Sequence, residues 1–169
     1  MFLSPADGGY DLRGNTAAVE GDEPWTIRYV VGLAAGWRTR VAHVSSETAA
    51  GPRRTTVRCD DGRWLVDGEA APHLDGCLDV DLESSALTNA FPVHRLGLAV
   101  GEQAEAPAAY IRAPDLTIER LVQRYIRLDD AKGCTRYRYA APAFDFECEL
   151  SYDNAGLLLN YPGIAVRAA

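Results

Sequence analysis

The stretch Thr55-Thr56-Val57-Arg58-Cys59-Asp60-Asp61-Gly62-Arg63-Trp64-Leu65-Val66-Asp67-Gly68 decides the fold class. Two runs rich in β-branched and aromatic residues flank Asp60-Asp61-Gly62, and a second Asp-Gly pair ends the second run. Asp-Gly accepts the positive φ that tight hairpin turns demand. The spacing therefore predicts an antiparallel hairpin of Thr55–Cys59 with Arg63–Val66, with Trp64 on the core face.

The same two-residue period extends outward. Trp25–Val31 and Thr39–Val44 mix aromatic, β-branched and polar residues in the manner of half-buried strands. Further strands are expected at Leu78–Leu82, Leu96–Val100, Ala108–Arg112, Tyr137–Ala140, Phe144–Tyr152 and Leu157–Tyr161, the last two joined by a turn at Asp153-Asn154-Ala155-Gly156. Residues 1–24 carry little periodicity and read as a weakly structured arm or edge strand. Ser84–Leu96 opens on a helix-capping Ser-Ser pair and contains Pro92, so a short helix is expected there, beginning near Pro92. Leu116–Leu128 fits two patterns. Ile118, Leu121, Val122, Tyr125 and Ile126 form a helical stripe, slightly favoured by periodicity, while Leu116/Ile118 and Ile126/Leu128 fit two β alternations joined by a kink. No repeat and no linker interrupts the chain, which reads as one domain over 1–169 with 25–167 as its body.

The 169 residues suffice for a single buried core. A net charge of −7 argues against nucleic-acid binding, because the arginines alternate with acids along the sequence and phosphate tracking needs clustered cations. No apolar run approaches the roughly 20 residues of a membrane-spanning helix. The opening residues have neither a basic start nor an apolar core of a signal peptide, so a cytoplasmic location is expected. Cys59, Cys77, Cys134 and Cys148 form no CxxC pair and are expected to be reduced and mostly buried. No nucleophile elbow, P-loop or dinucleotide fingerprint occurs. Neither a cofactor nor a catalytic metal is expected; His73-x3-Cys77 lacks the four ligands of a structural zinc site.

One segment is distinctive: Gly76-Cys77-Leu78-Asp79-Val80-Asp81-Leu82, followed by Thr88-Asn89-Ala90-Phe91-Pro92-Val93-His94-Arg95-Leu96. Gly62-Arg63-Trp64 and Asp67-Gly68 precede it. Pro114-x-Leu116, Gln123-x-Tyr125-x-Arg127-Leu128, Tyr137-x-Tyr139, Gly156-Leu157 and Tyr161-Pro162-Gly163 follow in order. Over about Trp25 to Arg167 the chain resembles the bacterial "putative glycolipid-binding" family, with His94 standing where the family pattern has arginine. The resemblance implies a mostly β fold, an antiparallel spiral β-roll wrapped around a single helix and similar to lipoprotein carriers. It also implies a homodimer and an apolar or amphipathic ligand such as a glycolipid. It moves Leu116–Leu128 to strand and places the helix in Ser84–Leu96.

Asp79 and Asp81 lie two apart, so in a strand both carboxylates share a face. Such a pair can hydrogen-bond sugar hydroxyls, hold a cation or do acid–base work, or it can simply pair with arginines. Thr88-Asn89 before Pro92 has the chemistry of a turn or of a polar contact. If the roll encloses the helix, a buried Arg95 needs an acidic partner, and Asp79 or Asp81 is the candidate. The candidate ligand-binding residues are therefore Asp79, Asp81, Asn89 and Arg95, with no catalytic residue. The leading reading is a non-enzymatic binding protein, against a purely structural homodimer or an enzyme on small glycans or lipids using the paired aspartates. The many aromatics, from Trp25 to Tyr161, fill the core, and a subset of them could line an apolar pocket.

Overall fold

The computed structural model describes residues 2–6 and 8–168; Met1 and Asp7 of the expected N-terminal arm, and Ala169 at the domain's end, lie outside the described residues. Seven strands run as an antiparallel meander in sequence order: β1 (Phe2–Ala6), β2 (Gly9–Glu20), β3 (Glu23–Ala34), β4 (Thr39–Thr48), β5 (Gly51–Asp60), β6 (Arg63–Val66) and β7 (Glu69–Ala70). β8 (Asp79–Leu82) belongs to a three-stranded sheet with β10 (Ala108–Ile111) and β11 (Ile118–Leu121), and it pairs in parallel with β10. The third sheet has six strands, in the order β16 (Ala165–Val166), β15 (Leu158–Tyr161), β14 (Phe146–Tyr152), β13 (Cys134–Ala141), β12 (Arg124–Ala131) and β9 (Gln103–Glu105). A 3-10 turn, Ala86–Asn89, leads into one helix, α1 (Ala90–Leu96). The fold is a mostly antiparallel β-roll around this helix.

The hairpin of Thr55–Cys59 with Arg63–Val66 forms as expected. Cys59 faces Trp64 across β5 and β6, Asp61 and Gly62 both take positive φ, and Trp64 is buried. Its indole N–H donates to the Cys77 carbonyl at 3.0 Å, which ties the hairpin to the strand that follows. The turn before β15 also forms: Asp153 Oδ1 accepts from the N–H groups of Ala155 and Leu157, both at 2.9 Å.

Leu116–Leu128 is two strands, β11 and β12, broken at Val122-Gln123. Leu121, Gln123 and Tyr125 keep the two-residue alternation into the core across the break. Alone, α1 is too short to persist in water. It is held by burial of Leu87, Ala90, Phe91, Pro92 and Val93 inside the roll. Phe91 by itself supplies about 2–3 kcal/mol of apolar transfer. Pro92 falls in the first helical turn, where its missing N–H has no intrahelical partner to lose.

Four expectations are corrected. The segment before Trp25 is more than a weak arm: β2 pairs with β3 along all twelve of its residues, from Gly9 opposite Ala34 to Glu20 opposite Glu23. Its inward positions after the buried Leu12 are Gly14, Thr16 and Ala18, small residues that leave no hydrophobic period to read. At Gly14 the cause is the Tyr29 ring, which lies over it; a Cβ there would stand 2.1 Å from that ring. Leu96–Val100 is not a strand. Leu96 ends the helix, Gly97 caps it in the left-handed conformation, and Val100 is exposed. Phe144 closes a 3-10 turn, Pro142–Phe144, before β14 starts. All four cysteines are free, but Cys77 alone among them is buried.

Candidate functional site

Where β8 passes the helical segment, a polar cluster sits inside the apolar core. Asp79 and Asp81 are 2% and 7% exposed, and both reach toward the Ala86–Leu96 segment. Their shared face follows from the alternation of an extended strand. Their partners are different.

Asp79 meets Arg95 from α1 in a two-pronged pair, Nε to Oδ1 at 3.1 Å and Nη2 to Oδ2 at 2.5 Å. Burial raises the Asp79 carboxyl pKa, and the guanidinium offsets part of that rise. The forked geometry holds the acid as a carboxylate. Of the two candidates, Arg95 therefore braces Asp79, pinning the helix to β8.

Asp81 has no cation beside it. Gln123 Nε2 donates to its Oδ2 at 2.6 Å, and Thr88 Oγ1 lies 2.5 Å from Oδ1. Thr88 Oγ1 is also 2.8 Å from the Ser85 carbonyl oxygen and accepts from the Leu82 N–H at 3.2 Å. That hydroxyl has one proton and two acceptors beside it. The Ser85 carbonyl also accepts from the Thr88 N–H at 3.2 Å, which leaves the Thr88 hydroxyl able to donate to Asp81 Oδ1. Burial raises the Asp81 carboxyl pKa, only partly countered by the Thr88 and Gln123 hydrogen bonds.

The network continues through tyrosines. Gln123 Nε2 lies 3.0 Å from the Tyr139 hydroxyl. Tyr125 donates to Asn89 Oδ1 at 2.8 Å, and Tyr152 donates to the Asn89 carbonyl at 3.2 Å. Tyr29 and Ser85 share a hydrogen bond of 2.7 Å. Burial raises the pKa of each of these phenols, so they act as neutral hydroxyls.

A cavity of about 320 Å³ opens beside this cluster, between the three-stranded and six-stranded sheets. Asp81, Ser85 and Asn89 supply its polar side. Tyr110, Leu121, Tyr139, Ala141, Phe146 and Tyr161 supply apolar walls, and Phe144 and Ile164 are exposed at its rim. The rings pack edge-on or tilted: Tyr139 to Tyr161 at 5.7 Å, Phe146 to Tyr161 at 5.9 Å, Tyr110 to Phe144 at 5.6 Å between centroids.

Of the four residues expected from sequence, Asp81 and Asn89 line the cavity; Asp79 and Arg95 do not and pair with each other. The sequence reading missed Gln123 as a site residue. Its signal was a polar side chain at an inward position between Leu121 and Tyr125. His73 is exposed while Cys77 is buried, its sulfur 3.4 Å from Arg120 Nη1. Among the described residues no helix is long and apolar enough to cross a membrane.

No curated protein matches the sequence. The crystal structure of a DUF1089 family protein from Pseudomonas aeruginosa is similar throughout, with a TM-score of 0.85 and 35% identity over 99% of this chain and 90% of that one. A family model described as "Putative glycolipid-binding" matches residues 1–167, and the chain belongs to that bacterial family.

Proposed function

We propose that this protein is a non-enzymatic carrier whose cavity beside Asp81 and Asn89 holds part of an amphipathic ligand of the glycolipid type. The observation that carries this reading is a cavity with aromatic walls and a polar side built from Asp81, Ser85 and Asn89. Asp81 Oδ2 and Asn89 Oδ1 each keep acceptor capacity beyond the bonds they already make, which suits ligand hydroxyls. At about 320 Å³ the cavity is at the small end of ligand sites, so it takes one ring or a short acyl segment while the rest of the ligand extends past Phe144 and Ile164. Each methylene enclosed contributes about 0.8 kcal/mol. Catalysis by paired aspartates finds no support, because Asp79 is committed to Arg95 and stands away from the cavity. A cytoplasmic homodimer completes the proposal.

Native mass spectrometry of gently purified protein reports stoichiometry and retained ligand together. A dimer carrying a lipid-sized adduct is expected for the wild type. The adduct should be missing from Ala141→Trp, in which a ring fills the cavity from β13. Wild-type protein that stays bare after incubation with a total bacterial lipid extract would sink the carrier reading and leave a structural dimer.

A further inference from the structure

The arginines are unequally employed. Residues 25–66 contain seven of them, Arg28, Arg38, Arg40, Arg53, Arg54, Arg58 and Arg63, against three acids, Glu47, Asp60 and Asp61. That segment is net +4 in a chain of net −7, so the remainder is net −11. Among the described residues none of the seven makes an ion pair or a side-chain hydrogen bond. Every arginine that does make an ion pair lies outside 25–66: Arg13, Arg95, Arg112, Arg124, Arg127, Arg136, Arg138 and Arg167. The expected alternation of arginines with acids along the sequence therefore does not hold over residues 25–66.

Strand alternation puts Arg28, Arg54 and Arg58 on one surface. Ile27 and Tyr29 point inward, so Arg28 points outward; Thr55 and Val57 point inward, so Arg54 and Arg58 point outward. Arg28, Ser45 and Arg54 stand opposite one another across β3, β4 and β5. Arg38, Arg40 and Arg58 line one groove at the end of the same sheet, together with Asp60 and Asp61. Between the cations stand Val30 and Leu65, 36% and 40% exposed.

We propose that the outer face of the seven-stranded sheet, centred on Arg28, Arg54 and Arg58, docks the protein on an anionic lipid bilayer. The face is a broad sheet surface with unpartnered guanidiniums for lipid phosphates and exposed Val30 and Leu65 between them. The chain's net negative charge does not forbid this. At physiological ionic strength charges are screened beyond about 8 Å, so the bilayer sees the near face rather than the total. Each arginine held at such a surface is worth about fivefold in partitioning. The surface is separate from the cavity, and docking does not depend on a ligand in it.

The test is co-sedimentation with vesicles of phosphatidylcholine alone or with roughly a third phosphatidylglycerol. Wild-type protein is expected to bind the anionic vesicles, to ignore the neutral ones, and to be released by salt. Arg28→Glu/Arg54→Glu should weaken binding by at least about 25-fold. Arg124→Glu/Arg138→Glu makes the same change in net charge on the six-stranded sheet and should bind far more tightly than that pair, with circular dichroism checking the fold of each variant. Equal binding to both vesicles, no binding to anionic vesicles at low salt, or equal losses in the two double variants would overturn the proposal. So would a self-association abolished by Arg28→Glu/Arg54→Glu in a protein indifferent to vesicles, or capture of a DNA duplex in place of vesicles. None of these outcomes bears on whether native mass spectrometry finds a ligand in the cavity.

Discussion

Asp79 and Asp81 occupy the same face of one short strand, yet they are solved in opposite ways. Asp79 is met by a charge, Arg95, at 2.5 and 3.1 Å; Asp81 is met only by neutral donors, Thr88 and Gln123. The first spends its hydrogen-bonding capacity inside the protein and fastens the helix. The second keeps an uncommitted lone pair at the cavity wall. A buried acid supplied with a cation is thus a brace, and one supplied only with neutral groups remains available to a ligand. The comparison breaks most readily at the brace. Asp79→Ala leaves Arg95 charged and 12% exposed, and should destabilise the protein by about 3 kcal/mol in urea denaturation. Asp79→Asn/Arg95→Met, which removes both charges, should recover most of that loss. A loss under about 1 kcal/mol for Asp79→Ala would mean that water reaches Arg95 and that the pair is a surface one.

Between the two acids lies a smaller effect at the cavity wall. Tyr125 is fully buried and its hydroxyl satisfies Asn89 Oδ1. Tyr125→Phe keeps the ring but strands that oxygen, at a cost of about 1–2 kcal/mol. The same change frees an acceptor in the cavity wall. Retention of a hydroxylated ligand in native mass spectrometry should therefore be kept or improved while stability falls. Loss of both together would show that Asn89 is positioned by Tyr125 rather than merely paired with it.

The brace was more legible in the sequence than the cavity. A two-residue spacing is enough to put Asp79 and Asp81 on one face, and an arginine in the enclosed helix names its own partner type. Which acid it would choose is set by how far along β8 the helix end falls, a tertiary quantity that no local pattern carries. Gln123 was hidden because Val122, Ile118 and Ile126 completed a helical stripe although Val122 is 38% exposed. The alternation Leu121, Gln123, Tyr125 was the true period, and the break lies in the change of ladder partner from β10 to β9 and β13. β2 was invisible for a different reason: its inward row after Leu12 is Gly14, Thr16 and Ala18, and the Tyr29 ring leaves no room for a side chain at Gly14, so no apolar period shows. The cavity itself needs the relative placement of two sheets, which their separate alternations do not encode.

The smallest expected effect is also the sharpest test of the contrast. Asn is an isostere of a protonated Asp. At position 81 its oxygen can accept from Gln123 and its amide can donate to Thr88, which still donates to Ser85 and accepts from Leu82. Asp81→Asn should therefore cost less than about 1 kcal/mol near pH 5. The sign of the pH dependence follows from the raised Asp81 pKa. Below the ordinary carboxylate range both folded and unfolded chains hold the proton, and the group adds no pH dependence. As pH rises through that range the unfolded chain releases its proton while the folded one keeps it. Folding then has to take up a proton, and stability falls until the folded pKa is passed. Asn has no such term. The stability of Asp81→Asn relative to the wild type should thus rise in urea denaturation as pH climbs above the ordinary carboxylate range, and Asp79→Asn/Arg95→Met, which also removes an acid whose pKa burial raises, should change in the same sense. A flat difference for Asp81→Asn would mean that the Asp81 carboxyl titrates in the folded protein as it does in the unfolded chain, held as a carboxylate by neutral donors alone.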